Sequence, residues 1–184
     1  MQTVKFDRTK EWTVDDYLML GEMNTPCQLI NGELIMSPAP TPLHQRVSKK
    51  LFKILDGSSN SNGEVFYAPI DLFINKTNVF QPDLVYISNL SASIISHRGI
   101  EGPPEMVIEI ISPSNIFSDR NTKKKKYLTF GVKEYWIVDP ANQTLEIYLS
   151  NQADPEVPYL YLAGEGKVTS TVLASLEFDL KSIF

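Results

Sequence analysis

Met106-Val107-Ile108-Glu109-Ile110-Ile111 reads as a central strand, because it is continuously apolar apart from one carboxylate. A charge set among Met, Val and Ile loses its hydration on folding, which is costly unless it is paired or meets a cation. Downstream, Asp119 to Phe130 is predicted to be a helix carrying four consecutive lysines. Gly131 then ends it, and Glu134-Tyr135-Trp136-Ile137-Val138 forms a second apolar strand. Strand, helix and strand in that order predict a βαβ unit, with parallel strands and a right-handed crossover.

Upstream lies another apolar strand with one acid, Pro82-Asp83-Leu84-Val85-Tyr86-Ile87. Two carboxylates on neighbouring strands repel each other unless something positive sits between them. Mg²⁺ is such a cation, taking oxygen ligands from one or two carboxylates, water and substrate phosphate. The helix after Glu109 can aim Lys123 at the same place, and two carboxylates, a lysine and a metal suggest phosphodiester chemistry. Each residue also has a plainer reading. A Pro-Asp pair often only starts a strand, Glu109 could sit in a structural salt bridge, and a lysine run is by default a solvated helix face. With about 3.6 residues per turn, at most two of Lys123 to Lys126 can serve one site. Tyr127 and Phe130 are expected to face the core, with Lys123 on the flank nearest it. Asp119 and Lys123, at i,i+4, can equally serve only to support the helix.

The remaining elements follow from periodicity and punctuation. A short helix is expected over Thr13 to Leu20, with Thr13 as N-cap. Gln28-Leu29-Ile30 and Glu33-Leu34-Ile35-Met36 flank Asn31-Gly32, a type I′ hairpin signal. The proline-rich Ser37 to Pro42 leads into a helix from Leu43 to Leu55, with Gly57 just past its end. Strands at 64–67, 70–74 and 79–87 predict an antiparallel meander kinked at Pro69. A polar connection spans 88–104, and strands at 145–149 and 158–162 make a last hairpin before an apolar tail. The predicted architecture is α/β, a mixed sheet with a meander, one crossover and helices on its faces.

The chain has 184 residues, 42% of them hydrophobic and 21% charged, which suits one ordinary domain over 1–184. A lone Cys27 allows no internal disulfide, no apolar run reaches membrane-spanning length, and the start has no apolar signal region. A cytoplasmic protein is expected. The net charge of −5 argues against a general nucleic-acid coat protein, though a nuclease with a focused basic face fits. Four arginines against thirteen lysines argue against strong base readout, which relies on Arg.

Glu33, just after the hairpin turn, reads equally as an exposed strand acid or a site acid. His44, beside the apolar stripe at a helix start, reads first as a partly buried structural residue. The segments Gln28 to Leu34, Ser37-Pro38, His44, Pro82 to Val85, Val107 to Ser114, Asp119-Lys123-Tyr127 and Gly131 to Pro140 together resemble a known group. It is the bacterial putative restriction endonuclease family, formerly a domain of unknown function, within the PD-(D/E)xK nuclease superfamily. The resemblance runs from Thr13 to Phe184 and implies a restriction-endonuclease-like core. It implies that Asp83 is the motif's first acid and Glu109 its second. The lysine usual two residues after the second acid is replaced by Ile111, and the resemblance implies that Lys123 supplies it from the following helix. Glu33 matches an additional acidic position and His44 the family's histidine.

The leading expectation is a Mg²⁺-dependent endonuclease, with Mn²⁺ as an alternative ion, hydrolysing DNA with low sequence specificity. Asp83 and Glu109, with Glu33, would hold the metal, and Lys123 and His44 would complete the catalytic set. The competing readings are a non-catalytic nucleic-acid- or protein-binding module, and a structural homo-oligomer using Trp136 and the tail Leu176 to Phe184. A homodimer is expected in either case, and no membrane partner.

Overall fold

The computed structural model describes residues 10–21, 26–112 and 116–184. In chain order it contains α1 (Val14–Leu18), β1 (Cys27–Ile30), β2 (Glu33–Met36), α2 (Pro42–Ser59) and β3 (Gly63–Tyr67). Next come β4 (Leu72–Asn75), β5 (Asn78–Phe80), β6 (Leu84–Ser88), a 3₁₀ turn (Asn89–Ile94), β7 (Ile95–Ser96) and β8 (Gly99–Ile100). β9 (Met106–Ile110), a π-helical turn (Ser118–Lys123), α3 (Lys124–Phe130) and β10 (Glu134–Asp139) form the predicted βαβ unit. β11 (Thr144–Leu149), β12 (Leu160–Ala163), β13 (Lys167–Thr169), β14 (Glu177–Asp179) and a 3₁₀ turn (Leu180–Ser182) complete the chain.

The main sheet runs β12-β11-β10-β9-β6-β3, with β9 and β10 parallel and the other neighbours antiparallel. Along β9 the side chains alternate between two cores. Ile108 and Ile110 pack with Val47, Leu51 and Leu55 of α2, while Val107 and Ile111 pack with Tyr127 of α3. The sheet is therefore covered on both faces, which explains why β9 and β10 read as unbroken apolar runs.

The expected single meander is divided between two sheets. β3 pairs with β6 in the main sheet, whereas β4 pairs with β5 in a second sheet of order β2-β1-β5-β4-β8-β7. The chain passes from one sheet to the other at Ala68-Pro69 and again at Gln81-Pro82. Proline lacks the N–H that a continuing ladder requires, so both crossings fall where pairing stops.

α2 starts as expected, with Thr41 as N-cap accepting from the His44 N–H (3.2 Å) and Pro42 in its first turn. It continues through Gly57 and ends at Asn60, whose φ is 48°. Asparagine is one of the few residues that takes this left-handed conformation readily, and the glycine three residues earlier is tolerated inside the helix. Trp136, Leu176, Leu180 and Ile183 are buried in the chain's own core, so they are not available as the oligomer contacts expected of them. Among the described residues no helix is long and apolar enough to cross a membrane.

Candidate active site

β6 and β9 pair antiparallel with Leu84 opposite Ile108 and Val85 opposite Val107. Continued by one step, this register sets Asp83 opposite Glu109, and directly opposed residues share a face of the sheet. Asp83 stands where the chain has just crossed from the second sheet, beyond the last ladder pair. Its carboxylate takes the place of a ladder partner, with Oδ2 accepting from the Ile110 N–H at 2.7 Å. His44 Nε2 lies 3.2 Å from the same oxygen, held there by the first turn of α2.

Glu109 is 3% exposed. Its Oε1 accepts from Lys123 Nζ (2.9 Å) and from the Tyr127 hydroxyl (2.7 Å). The helix that brings Lys123 here ends at Gly131, as the sequence predicts, with φ of 105° and its N–H donating to the Tyr127 and Leu128 carbonyls. Pro113 and Ser114, which precede it, lie outside the described residues. The turn Ser118–Lys123 is π-helical, a form that recurs at functional sites. Asp119, Lys123 and Tyr127 all point inward from it. Lys123 is only 2% exposed, and its Nζ also lies 3.2 Å from Asp119 Oδ1. It is thus not on a flank of the helix but at the centre of a buried ionic cluster. Asp119, read as a helix-supporting residue, belongs to that cluster, and the 119–123–127 spacing on one face was the signal for it.

Three carboxylates surround one ammonium, and the electrostatics reflect the surplus. Burial pushes the Glu109 carboxyl up to about 8, against the pull of the Lys123 charge, and the charges of Asp119 and Asp83 add to the rise. Burial likewise raises Asp119, with Lys123 opposing. Lys123 moves up although burial acts against it, because the negative charge of Glu109 and Asp119 outweighs desolvation. Lys123 therefore keeps its proton, and a proton on the carboxylate cluster or an added cation relieves the excess negative charge. Desolvation would lower His44, yet its hydrogen bond to Asp83 and the Asp83 charge raise it.

Asp83, Glu109, Lys123 and His44 all line one cavity of about 750 Å³. Each acid has one oxygen engaged. Among the described residues Asp83 Oδ1 and Glu109 Oε2 accept no hydrogen bond, so both are available to a further partner. Two carboxylates could hold Mg²⁺, which completes its shell with water and substrate oxygens. Among the described residues no group of three or more His, Cys, Asp or Glu side chains is arranged to hold a metal. Glu33 accordingly does not join the pair. It is exposed on β2, opposite Ile30, and does not line the cavity. A hairpin turn fixes its register but not its distance from a site on the other sheet.

The lysine run is likewise not the solvated basic face that its composition suggests. Lys123 is buried, Lys124 pairs with Glu156 (2.6 Å) over the Tyr148 ring, and Arg120 pairs with Glu146 and Asp139. The exposed cations near the cavity are instead on α2, where Arg46, Lys49 and Lys53 recur at helical spacing and Lys49 lines the cavity wall.

In the comparisons with known proteins, the chain resembles the crystal structure of a putative nuclease belonging to DUF820 from Anabaena variabilis. The TM-score is 0.76 at 20% identity, over 94% of this chain and 97% of that one. At that identity the likeness shows the restriction-endonuclease-like fold. No curated protein matches the chain. The family model described as "Uma2: Putative restriction endonuclease" matches residues 14–181, which include Asp83, Glu109, Lys123 and His44, and the chain belongs to that family.

Proposed function

We propose that the protein is a metal-dependent endonuclease that hydrolyses DNA phosphodiester bonds with little regard to sequence. The observation that carries this reading is the convergence of Asp83, Glu109 and Lys123, from two strands and a helix, on one solvent-open cavity. A structural ion pair needs no opening to solvent, and a buried pair is weak evidence for stability in its own right. Family membership supports the reading.

Mg²⁺ or Mn²⁺ held by the free oxygens of Asp83 and Glu109 would lower the pKa of bound water and polarise the phosphate. The chain's own residues do the rest. The Ile110 N–H and His44 keep the Asp83 carboxylate in place, so that Oδ1 points to the cavity. Lys123, fixed by Glu109 and Asp119, carries the positive charge that offsets negative charge building up on the phosphoryl oxygens as water attacks. His44, with Nε2 engaged by Asp83, acts through that carboxylate as a positioning residue. The exposed α2 cations supply contacts to phosphate, which position a strand without reading bases.

The test combines calorimetric titration of Mg²⁺ and Mn²⁺ with a plasmid-nicking assay on the wild type, Asp83→Asn and Glu109→Gln. Binding of one cation and nicking, both lost in the two variants, are expected. A wild type that binds no cation and nicks no plasmid would leave the interaction-module reading in its place.

A further inference from the structure

The cavity extends well beyond the two acids and Lys123. Away from the acids and Lys123, part of its wall is apolar, with Pro38, Ala39, Pro40, Phe52 and Tyr67 among its lining residues. Tyr67 closes β3 opposite Leu84, and the next residue, Ala68, donates its N–H to the Asp83 carbonyl at 3.0 Å. The aromatic wall is therefore tied by the backbone to the first catalytic acid. Tyr67 is 64% exposed, and its ring meets that of Phe52 edge to face, with centroids 5.3 Å apart at 84°. An aromatic ring held by a second ring and left open to solvent inside a cavity is a platform awaiting a flat apolar partner. Lys49, on the same wall, makes no ion pair among the described residues.

We infer that this wall receives an unstacked nucleobase, and that the preferred substrate is single-stranded DNA. The inference rests on the nuclease reading above and names its substrate. A base in a duplex presents only its edges in the grooves. To lie against Tyr67 it has to leave the stack, which costs a few kcal/mol in paired DNA and little in a single strand. Stacking is indifferent to base identity, since every base has a π-face. The aromatic wall thus agrees with the scarcity of arginine for base readout. Tyr67 and Phe52 approach from the α2 face of the sheet and Glu109 and Lys123 from the other, so the cavity wraps around the strand ends. One nucleotide can then rest its base on the first wall while an adjoining phosphate reaches the second.

The experiment measures the fluorescence anisotropy of a labelled single-stranded oligodeoxynucleotide of about 12 nucleotides, within the usual site size. A duplex of the same sequence is measured at the same ionic strength. Both, and an RNA strand of the same sequence, are run in Ca²⁺, with gels showing that the strands stay intact, on the wild type, Tyr67→Phe and Tyr67→Ala. Tyr67 is exposed, so neither variant threatens the core. The single strand is expected to bind at least about tenfold more tightly than the duplex. Tyr67→Ala is expected to weaken single-strand binding about tenfold while leaving duplex binding unchanged, and Tyr67→Phe to retain it, because stacking needs the ring and not the hydroxyl. Equal affinity for duplex and single strand, preference for an RNA strand of the same sequence, or equal behaviour of the Ala and Phe variants would overturn the inference. Plasmid nicking in Mg²⁺ separates the two levels. If nicking persists beside any of those results, the base platform alone is wrong. If no DNA is bound or cut, the nuclease reading falls with it.

Discussion

Lys123 is at once a candidate site residue and, among the described residues, the ammonium that pairs with both Glu109 and Asp119 in a buried cluster. Removing one partner of such a cluster leaves uncompensated charge in the interior, at about 3–5 kcal/mol. Lys123→Ala is therefore expected to abolish nicking and also to lower the urea midpoint, whereas exposed Lys125→Ala should match the wild type in both assays. Glu109 gives a second expectation. Its folded pKa, about 8, stands above the ordinary 4.5. Its contribution to stability is therefore complete below about pH 4.5 and is lost as pH rises through about 8. His44, also raised, acts in the same direction, while the lowered Glu105 acts below its ordinary range and so outside this window. The metal-free protein should melt at a lower temperature at pH 8.5 than at pH 5. Glu109→Gln, which keeps the neutral form, should shrink that difference by several degrees without abolishing it. A pH dependence identical to that of the wild type would show that Glu109 is not the titrating group. At this scale the sequence was informative, because a carboxylate in an apolar strand is conspicuous. It said less about Glu33, whose distance from Asp83 depends on how two sheets meet, and it understated Asp119, which looks like any helix-opening acid.

Element identities were legible from periodicity, and the places where they were misread share one cause. A run such as Val79 to Ile87 is mostly apolar, broken at Gln81-Pro82-Asp83, whether it lies in one sheet or crosses between two. Only the pairing of β4 with β5 and of β3 with β6 reveals the division. α2 runs past Gly57 because tertiary packing of Leu51 and Leu55 outweighs the local cost of one glycine. The end of α3, by contrast, was legible because its cause is local. Gly131 has φ of 105°, and a Cβ there would rest 3.4 Å from Pro103. The strain of Gly131→Ala is thus mainly in the backbone, and a loss of about 1 kcal/mol or somewhat more is expected from urea unfolding. Because the same turn sets the pitch that carries Tyr127 and Lys123 inward, nicking should fall in parallel. A second device escaped the sequence altogether. Glu134 is buried without a cation, accepting instead from the Trp136 indole, the Ser170 hydroxyl and the Thr171 N–H and hydroxyl. It fastens the C-terminal segment to β10, and nothing in Gly-Val-Lys-Glu-Tyr-Trp announces a partner some 36 residues away.

For the whole molecule, the sign of the net charge was legible and its distribution was not. Arg120 and Lys123 to Lys126 are the densest basic run in the chain, yet three of the five are consumed by Glu146, Asp139, Glu109, Asp119 and Glu156. All of those partners but Asp119 come from four other places in the sequence, so only the fold could show it. Among the described residues near the cavity, the exposed cations left for a polyanion are the α2 row of Arg46, Lys49 and Lys53, on a molecule of net charge −5. Affinity for DNA should then be weak, nearly independent of sequence and steeply reduced by salt, because each neutralised phosphate releases counterions. On the proposed function, the surplus of carboxylates in the cavity would repel phosphate until a divalent cation bridged Asp83 and Glu109, so affinity should rise when Mg²⁺ is added. Replacing Lys49 and Lys53 together by Gln should lower affinity equally for unrelated sequences. It should also reduce the slope of log K against log salt by about 2, one unit for each lost phosphate contact. Lys125→Gln, on the far side of the paired run, should change neither quantity. If the slope falls with Lys125 and not with the α2 pair, the strand runs over α3, and α2 serves only to place His44 against Asp83.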